Sequence, residues 1–268
     1  SHDVQIPGTN SSLEHVSSTD NADSWLLYKE LHSVHLNIHY ILPTSDEIQI
    51  VLSQNHNIDC LCMCETVLDN SVLASQLFVP GYSMFRTDRA SLGGGLVLYI
   101  KYNLCCYRRT DLASENIESL IRVQILSMLL CYSYKPPSSK VEWLNPFSES
   151  LDTPFNENKE TVILGEFNFD LLKLSHNSNS WLQLVESMNF TQLVKCPTRT
   201  TACSSTLIDH VFTNISGNII EINIPYCALV DHFPVAITIR CNHNIATKPY
   251  HIYLIFIDQI NVLVNSNF

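Results

Sequence analysis

The sequence is short of basic residues and has no long apolar segment. Lys and Arg number 15 against 26 Asp and Glu, which gives a formal net charge of −11 over 268 residues. A field of that sign argues against binding nucleic acid through overall charge, although local contacts remain compatible with it. The apolar run 252–257 is too short to cross a bilayer, and Arg122 and Gln124 interrupt the stretch 120–134. We therefore expect a soluble protein with no membrane partner.

The cysteines lack the spacing of a structural metal site. None of the ten forms a Cys-x-x-Cys pair, and no His lies at a zinc-like interval from them, which argues against structural zinc. Cys60, Cys62 and Cys64 alternate along an apparent strand, so they are expected to share one face. The sequence also has no signal-peptide pattern. These features predict reduced thiols in an intracellular protein of the cytoplasm or nucleus.

The chain divides into three parts by composition. Residues 1–29 are rich in Ser, Asn and Asp and are expected to be a disordered leader. Residues 30–240 carry the apolar pattern of a folded domain. Residues 241–268 follow no clear period, and we assign this tail no role. No internal repeat is visible.

The apolar pattern of the domain predicts about eight to ten strands and about two or three helices. One helix is expected to run to Gln54, with Thr44 or Ser45 as its cap and Glu47 completing a capping box. Another is expected from Ser178 or Ser180 to about 188, and 138–160 reads as a polar connection with at most a short helix. This arrangement predicts an α+β fold of two stacked sheets with helices on the outer faces.

Residues 161–170 are the most informative stretch. Val162 and its apolar neighbours form a short run typical of a strand buried on both faces, and Gly165 ends it. Glu166 and Asn168 follow on a turn, where an acid and an amide can position a metal, a water or a phosphate. The alternative is an acidic turn that only solvates the end of a strand.

Glycines 93–95 form the other notable local motif. Gly-rich segments can cradle phosphates, but no helix start follows this one, so it is not a P-loop. The tight turn of a hairpin is the expected role.

Polar side chains recur where predicted strands stop. These positions are Asn37, Glu65, Tyr134, Glu166, Asn168, Asp209, Asp231 and His232. One acid at a strand end is ordinary, and a lone tyrosine there is usually only half-buried. A sheet brings such ends together, so we expect the set to converge on one cleft at an edge of the sandwich.

Ten short motifs in chain order resemble the endonuclease/exonuclease/phosphatase family, which is deoxyribonuclease-I-like. They are Leu-Asn-Ile (36–38), Cys-Glu-Thr (64–66), Gly-Tyr (81–82), Arg-x-Asp-Arg (86–89), Gly-Gly-Gly (93–95), Tyr-Lys-Pro-Pro (134–137), Ile-Leu-Gly-Glu-Phe-Asn (163–168), Pro-Thr-Arg (197–199), Leu-Ile-Asp-His-Val-Phe-Thr-Asn (207–214) and Asp-His-Phe-Pro (231–234). More narrowly, they resemble the endonuclease domain of non-LTR (LINE, jockey-type) retrotransposon polyproteins. The resemblance covers roughly residues 30–240. It implies a four-layered α/β/β/α sandwich of two mixed β-sheets flanked by helices.

The resemblance implies a metal-binding side of the site. Glu65 resembles the main carboxylate ligand of a Mg²⁺, with Mn²⁺ as an alternative. Asn37 and Asp231 resemble the residues beside that metal. Glu166 stands where the family has an Asp that aligns or deprotonates the attacking water, and Asn168 matches the amide that contacts the scissile phosphate.

The resemblance also implies a phosphate-binding side. Tyr134 matches a phosphate-side tyrosine, His232 matches a histidine that binds the phosphoryl oxygen, and Asp209 matches its orienting partner. A histidine held by a carboxylate can stay protonated near neutral pH and donate to phosphate oxygens. Thr198 and Arg199 are the implied contacts to DNA, the expected partner.

Two departures from the family pattern bear on activity. Glu166 is one methylene longer than the family's Asp, and Val230 replaces a Ser that precedes the final Asp-His. The implied function is a Mg²⁺-dependent DNA endonuclease that nicks target DNA for retrotransposition, impaired by these departures. The alternatives are a catalytically weak remnant of the same fold, or a phosphoesterase on a small phosphodiester. The reverse transcriptase portion of such polyproteins is absent from this chain, so we expect nicking without extension of the nick.

Overall fold

A computed structural model describes residues 30–241 except for 90–92, 114–116, 118–119, 126, 140 and 228–229. The predicted leader, 1–29, and the tail from 242 onward lie outside the described residues. Within the described part of the chain, no helix has the length and apolar character needed to cross a membrane.

The first sheet has six strands and mixes both directions. Its strands are β1 (Glu30–Asn37), β2 (Cys60–Cys64), β3 (Tyr82–Thr87), β4 (Leu96–Lys101), β13 (Ile219–Asn223) and β14 (Val235–Arg240). Their spatial order is β13-β14-β1-β2-β4-β3. Strands β1 and β2 are parallel and the other neighbours are antiparallel. Strand β1 is therefore central, and its last residues, Leu36 and Asn37, pair with β2 alone, because the pairing with β14 ends at His35.

The second sheet also has six strands. They are β5 (Cys106–Arg108), β6 (Leu120–Ile125), β7 (Met128–Tyr134), β8 (Glu160–Glu166), β9 (Thr191–Gln192) and β12 (Asp209–Thr213), in the order β5-β6-β7-β8-β12-β9. Strands β7 and β8 are parallel, whereas β8 and β12 are antiparallel. A small ribbon of β10 (Arg199–Thr200) and β11 (Ser205–Thr206) stands beside the sheets.

The helices are α1 (Ser45–Gln54), α2 (Leu144–Asn156) and α3 (His176–Ser187). The predicted capping box on α1 is wrong, because the Thr44 hydroxyl donates to the Ile41 carbonyl at 3.2 Å and caps no N–H. Helix α3 begins before the predicted serines, and Ser175 is its cap, accepting from the Ser178 N–H at 3.1 Å.

Helix α2 replaces most of the predicted polar connection. It runs for 13 residues despite Pro154 near its end. Leu144, Phe147 and Leu151 are buried on it at helical spacing, and they pack against the second sheet. The polar residues and prolines between these positions concealed the stripe in the sequence.

Three apolar cores define four layers. Alternate side chains of β2, including Cys60, Cys62 and Cys64, face the second sheet in a core between the sheets, as predicted. Leu61 and Met63 of the same strand face α1. Aromatic residues of α2 and α3 cover the outer face of the second sheet. The predicted α/β/β/α sandwich of two mixed sheets is confirmed, and no disulfide links cysteines of the described chain.

Glycines at two places in the chain, Gly165 and 93–95, shape the edge that carries the polar strand ends. Gly165 faces Ser133 across β7 and β8, and a Cβ there would lie 1.9 Å from the Ser133 carbonyl oxygen. Glycines 93–95 have φ from +84° to +89° and belong to the connection between the antiparallel strands β3 and β4. The hairpin is confirmed, but its connection spans 88–95 and is longer than the predicted tight turn.

Candidate active site

The strand registers bring the predicted residues to one edge of the sandwich. Asn37 ends β1 opposite Cys64, so Glu65 follows directly beside it. Tyr134 ends β7 opposite Glu166, and Asp209 begins β12 opposite Glu166 from the other side. Each sheet therefore contributes polar side chains to the same edge.

Glu166 occupies the centre of this group and is only 2% exposed. Asn37 donates through Nδ2 to its Oε2 at 2.6 Å, and this bond crosses from one sheet to the other. Asn168 donates through Nδ2 to its Oε1 at 2.9 Å. Two amides thus fix both carboxylate oxygens, which is the placement that a general base needs.

Glu65 forms a second link between the sheets. The Tyr134 hydroxyl donates to Glu65 Oε1 at 2.6 Å, and His39 Nδ1 lies 3.3 Å from Oε2. Glu65 and Asn168 both have φ near +55°, in the left-handed region that non-glycine residues seldom adopt. Such backbone strain is held in place by the surrounding structure and concentrates at functional sites.

Asp209 and His232 form a buried pair. His232 Nδ1 lies 3.0 Å from Asp209 Oδ2, a geometry in which Nδ1–H donates and Nε2 remains for a ligand. Thr198 is fully buried, and its hydroxyl oxygen accepts from the N–H groups of Ile208 at 3.2 Å and Asp209 at 3.1 Å. Thr198 therefore supports Asp209. The sequence had predicted that Thr198 contacts DNA, but its hydroxyl is buried and is not presented to DNA.

The buried charges shift one another. Burial raises the pKa of Glu166, the charges of Asp209 and Glu65 add to the rise, and His232 opposes it. Burial alone would raise the pKa of Asp209, but hydrogen bonds and charges of His232 and His35 hold it well below its usual range. Burial disfavours charged His232, yet the bond to Asp209 outweighs it and raises the pKa of His232. The pair therefore favours imidazolium beside carboxylate.

Tyr134 has a different electrostatic environment. Burial raises the pKa of its phenol strongly, and the hydrogen bond to Glu65 adds to the rise. The hydroxyl stays protonated, so it acts as a donor towards the carboxylate or a bound anion.

Oxygen and nitrogen donors at this edge could hold a cation. Among the described residues, the ligand atoms of Glu166, Asp209 and His232 lie within 4.8 Å of one another. The predicted metal ligands Glu65 and Asp231 are not in that group. The Asp231 carboxylate instead accepts from Arg199 Nε at 2.8 Å and is 41% exposed. The structure therefore brings Glu166, Asp209 and His232 together and leaves Asp231 on the rim, paired with Arg199.

Two further side chains contact the site and were missed in the sequence. His35 is 1% exposed, and its Nε2 lies 3.4 Å from Asp209 Oδ1. Cys64 lies with its Sγ 3.5 Å from Glu166 Oε2. His35 precedes Asn37 by two residues on a strand, so the alternation of side chains could have placed both on one face. No comparable signal pointed from Cys64 to Glu166, because they lie on different sheets.

Comparison with known proteins identifies the fold. No protein-family model and no curated protein sequence matches the chain. The 3′-5′ exonuclease NExo of Neisseria meningitidis superposes with a TM-score of 0.65 at 13% identity, covering 79% of this chain and all of that one. An AP endonuclease of Archaeoglobus fulgidus gives 0.62 at 14% identity, covering 77% and 98%. The endonuclease domain of TRAS1, a telomere-specific non-LTR retrotransposon, gives 0.63 at 13% identity, covering 80% and 100%.

These likenesses concern the fold. The chain has the deoxyribonuclease-I-like sandwich of the endonuclease/exonuclease/phosphatase proteins, with a resemblance to a retrotransposon endonuclease domain. At this level of identity they assign no role to any residue. The roles must be argued from the chemistry of the edge itself.

Proposed function

We propose that this chain is a divalent-metal-dependent endonuclease that cleaves one strand of DNA. The observation that carries the proposal is the buried Glu166 carboxylate, fixed on both oxygens by Asn37 and Asn168 beside the Asp209–His232 pair. A phosphodiester is hydrolysed by water, and the reaction adds charge to an already anionic group. It therefore needs a positioned base and donors that meet the developing charge.

The residues divide the chemistry between them. In its ionised form Glu166 aligns the attacking water and accepts its proton, and its raised pKa makes that form a stronger base than an ordinary carboxylate. His232, kept protonated by Asp209, donates to a non-bridging phosphate oxygen. In the structure the Asn168 amide donates to Glu166 and to the Lys135 carbonyl, and the Tyr134 hydroxyl donates to Glu65. Each orients the phosphate by exchanging one of these acceptors for a phosphate oxygen.

The donor set fits a hard divalent cation. Glu65, Glu166 and Asp209 bring negative charge to one edge, and the charges of Asp209 and Glu65 add to the rise that burial causes in the pKa of Glu166. Carboxylate and amide oxygens are the ligands that Mg²⁺ and Mn²⁺ prefer. We assign Glu65, Asn37 and Asp231 to hold the ion, Asp231 after release from Arg199. When bound, the ion supplies positive charge that offsets the charge developing on the phosphate.

DNA is the substrate that we favour over a small phosphodiester. The 3′ phosphatase NExo from Neisseria has a structure bound to a product DNA hairpin, and the TRAS1 domain comes from a retrotransposon. Arg199 stands on the exposed ribbon at the rim of the site, 43% exposed, where it can contact a phosphate. We extend the proposal to nicking for retrotransposition.

The two departures from the family pattern act differently in the structure. Glu166 is held on both oxygens, so its extra methylene is accommodated. Val230 packs, partly buried, against the core under α1 and offers no hydroxyl at the rim. We assign any impairment of catalysis to Val230, and we expect a Val230→Ser variant to nick plasmid faster than the wild type; an unchanged rate would contradict this assignment.

The substrate class is tested with two substrates and one enzyme preparation. Supercoiled plasmid and bis(p-nitrophenyl) phosphate are each incubated with Mg²⁺, with Mn²⁺ and with EDTA. Metal-dependent conversion of plasmid to open circles, with little turnover of the small diester, is the expected result. Turnover of the small diester alone would overturn the assignment to DNA.

A further inference from the structure

A pocket of about 260 Å³ opens beside Asn168, and its lining does not include Asp209 or His232. Lys135, Asn168 and Lys173 line it, together with Ser175 and Asn177 at the start of α3. Asn168 Nδ2 donates both to Glu166 and to the Lys135 carbonyl, at 2.9 Å each, so one side chain joins the pocket to the site.

Lys135 is unusual for a lysine because it is 2% exposed. Its Nζ donates to the Pro136 carbonyl at 3.2 Å and lies 4.5 Å from the centre of the Phe169 ring. Within the described chain it forms no ion pair with an Asp or Glu. Burial lowers the pKa of Lys135, and the charge of Glu166 opposes that shift without forming an ion pair. An anionic ligand in the pocket would stabilise the buried ammonium group, so this position favours one.

The rest of the lining adds positive charge. Lys173 is exposed at the mouth, and the N-terminal turn of α3 contributes its partial positive charge. Asp170 is the acidic residue of the lining, and its Oδ1 accepts from the N–H groups of Leu172 at 3.0 Å and Leu207 at 3.1 Å. The Asp170 carboxylate is thereby held by the backbone, and its single negative charge against two lysines leaves the lining with a net positive charge of one.

We propose that this pocket binds a phosphate of the DNA strand next to the scissile one, with Lys135 and Lys173 as its cationic contacts. The assignment rests on the proposed function, because the scissile phosphate is placed against Asn168. The chemistry recognised is a phosphate anion, and a strand that passes Asn168 presents one to the pocket. Free inorganic phosphate has the same chemistry and is separated by the test.

The test measures DNA binding without cleavage. Binding of a fluorescein-labelled duplex is followed by fluorescence anisotropy in EDTA over a range of KCl concentrations. Each phosphate contact that is lost lowers the slope of log Kd against log salt by about 0.9. We expect that loss in Lys135→Met and again in Lys173→Met, and about twice the loss in the double variant. Since Lys173 is exposed, its variant gives the answer even where Lys135→Met does not fold.

The matched control is Lys159→Met, which removes a lysine next to the start of β8, at the far end of that strand from Glu166. Its salt slope should equal that of the wild type. An unchanged slope in Lys173→Met, an equal loss in Lys159→Met, or wild-type protein that does not bind the duplex would overturn the subsite. The pocket would be assigned to free phosphate instead under two conditions. Inorganic phosphate would raise the melting temperature of the wild type but not of Lys173→Met, and the salt slope of DNA binding would be the same in both proteins.

Nicking separates this inference from the proposed function. Plasmid nicking with unchanged salt slopes in the lysine variants rejects the subsite and keeps the endonuclease. Reduced slopes without any nicking keep the subsite and reject catalysis.

Discussion

At the scale of single residues, the site depends on contacts that cross between the two sheets. Asn37 of the first sheet holds Glu166 of the second, and Tyr134 of the second holds Glu65 beside the first. In the same way, His232, which lies just before β14 of the first sheet, contacts Asp209 of the second sheet. Each functional side chain is therefore fixed by a partner distant in the sequence, and small changes in side-chain length act on two residues at once.

Shortening the central carboxylate tests that idea. In Glu166→Asp, pairing with β7 and β12 on both sides fixes the backbone, so the carboxylate withdraws from Asn37 and Asn168. A misplacement of this kind costs about 10²-fold in rate, so we expect slower metal-dependent nicking at matched thermal stability. A faster variant would contradict this account and would show that the longer side chain of Glu166 impairs the enzyme.

Glu65 is the residue that we expect to matter most for the metal. Glu65→Ala removes a carboxylate oxygen ligand and the acceptor of the Tyr134 hydroxyl. Metal-dependent nicking should fall below detection, since the lost electrostatic stabilisation is on the order of several kcal/mol. The circular-dichroism spectrum should stay that of the wild type. Undiminished nicking, or loss of the folded spectrum, would count against the role.

At the scale of elements, the edge depends on close approach of β7 and β8. Gly165 sits where the Ser133 carbonyl leaves no room for a side chain. The carbonyl belongs to the main chain of the neighbouring strand, so it cannot move aside as a flexible side chain would. The glycine before Glu166 is therefore required by the packing of β7 against β8.

A methyl group at this position should destabilise the whole domain. Gly165→Ala forces β7 and β8 apart, and we expect a loss of about 3 kcal/mol or more in the free energy of unfolding, measured by urea denaturation. The control is Gly217→Ala, where the added Cβ meets nothing within 4 Å. A small effect at Gly165, comparable with that at Gly217, would mean that the strands separate at little cost.

The elements show how far the sequence could lead. Alternation in β2 predicted the shared face of its cysteines, and strand ends predicted the convergence of Glu166 with Asp209. Helix α2 was missed because its apolar stripe is interrupted by prolines and polar residues. The pairing of Asp231 with Arg199 and the burial of Lys135 depend on how loops pack, which no local pattern encodes.

At the scale of the whole molecule, the second sheet is held to its helices by a stack of aromatic rings that includes a buried histidine. His210 accepts from Trp181 Nε1 through Nδ1 at 3.1 Å, and its Nε2–H donates to the Phe169 carbonyl at 3.1 Å. Its ring lies parallel to that of Phe167, with centroids 5.4 Å apart. This environment suits neutral imidazole, and burial lowers the pKa of His210 to about 4.

The stability of the domain should therefore fall in acid. Since the pKa of His210 is depressed in the folded state, the unfolded chain binds more protons between pH 6.5 and about 4. The contribution of neutral His210 to the free energy of unfolding is fully present above that window and is lost as the pH falls through it. At about 1.4 kcal/mol per pH unit, the total loss is about 3 kcal/mol. Urea midpoints at both ends of the window measure the loss. In His210→Gln this part of the pH dependence should disappear, and an identical dependence in both proteins would contradict the assignment.

The central claim is that one buried edge of this sandwich hydrolyses DNA with the help of a divalent metal. The most direct measurement compares supercoiled-plasmid nicking by wild-type protein in Mg²⁺, by the same protein in EDTA, and by His232→Gln purified in parallel. The account predicts open circles from the wild type in Mg²⁺ alone. Folded wild-type protein that leaves the plasmid supercoiled, or equal nicking by His232→Gln, would contradict it.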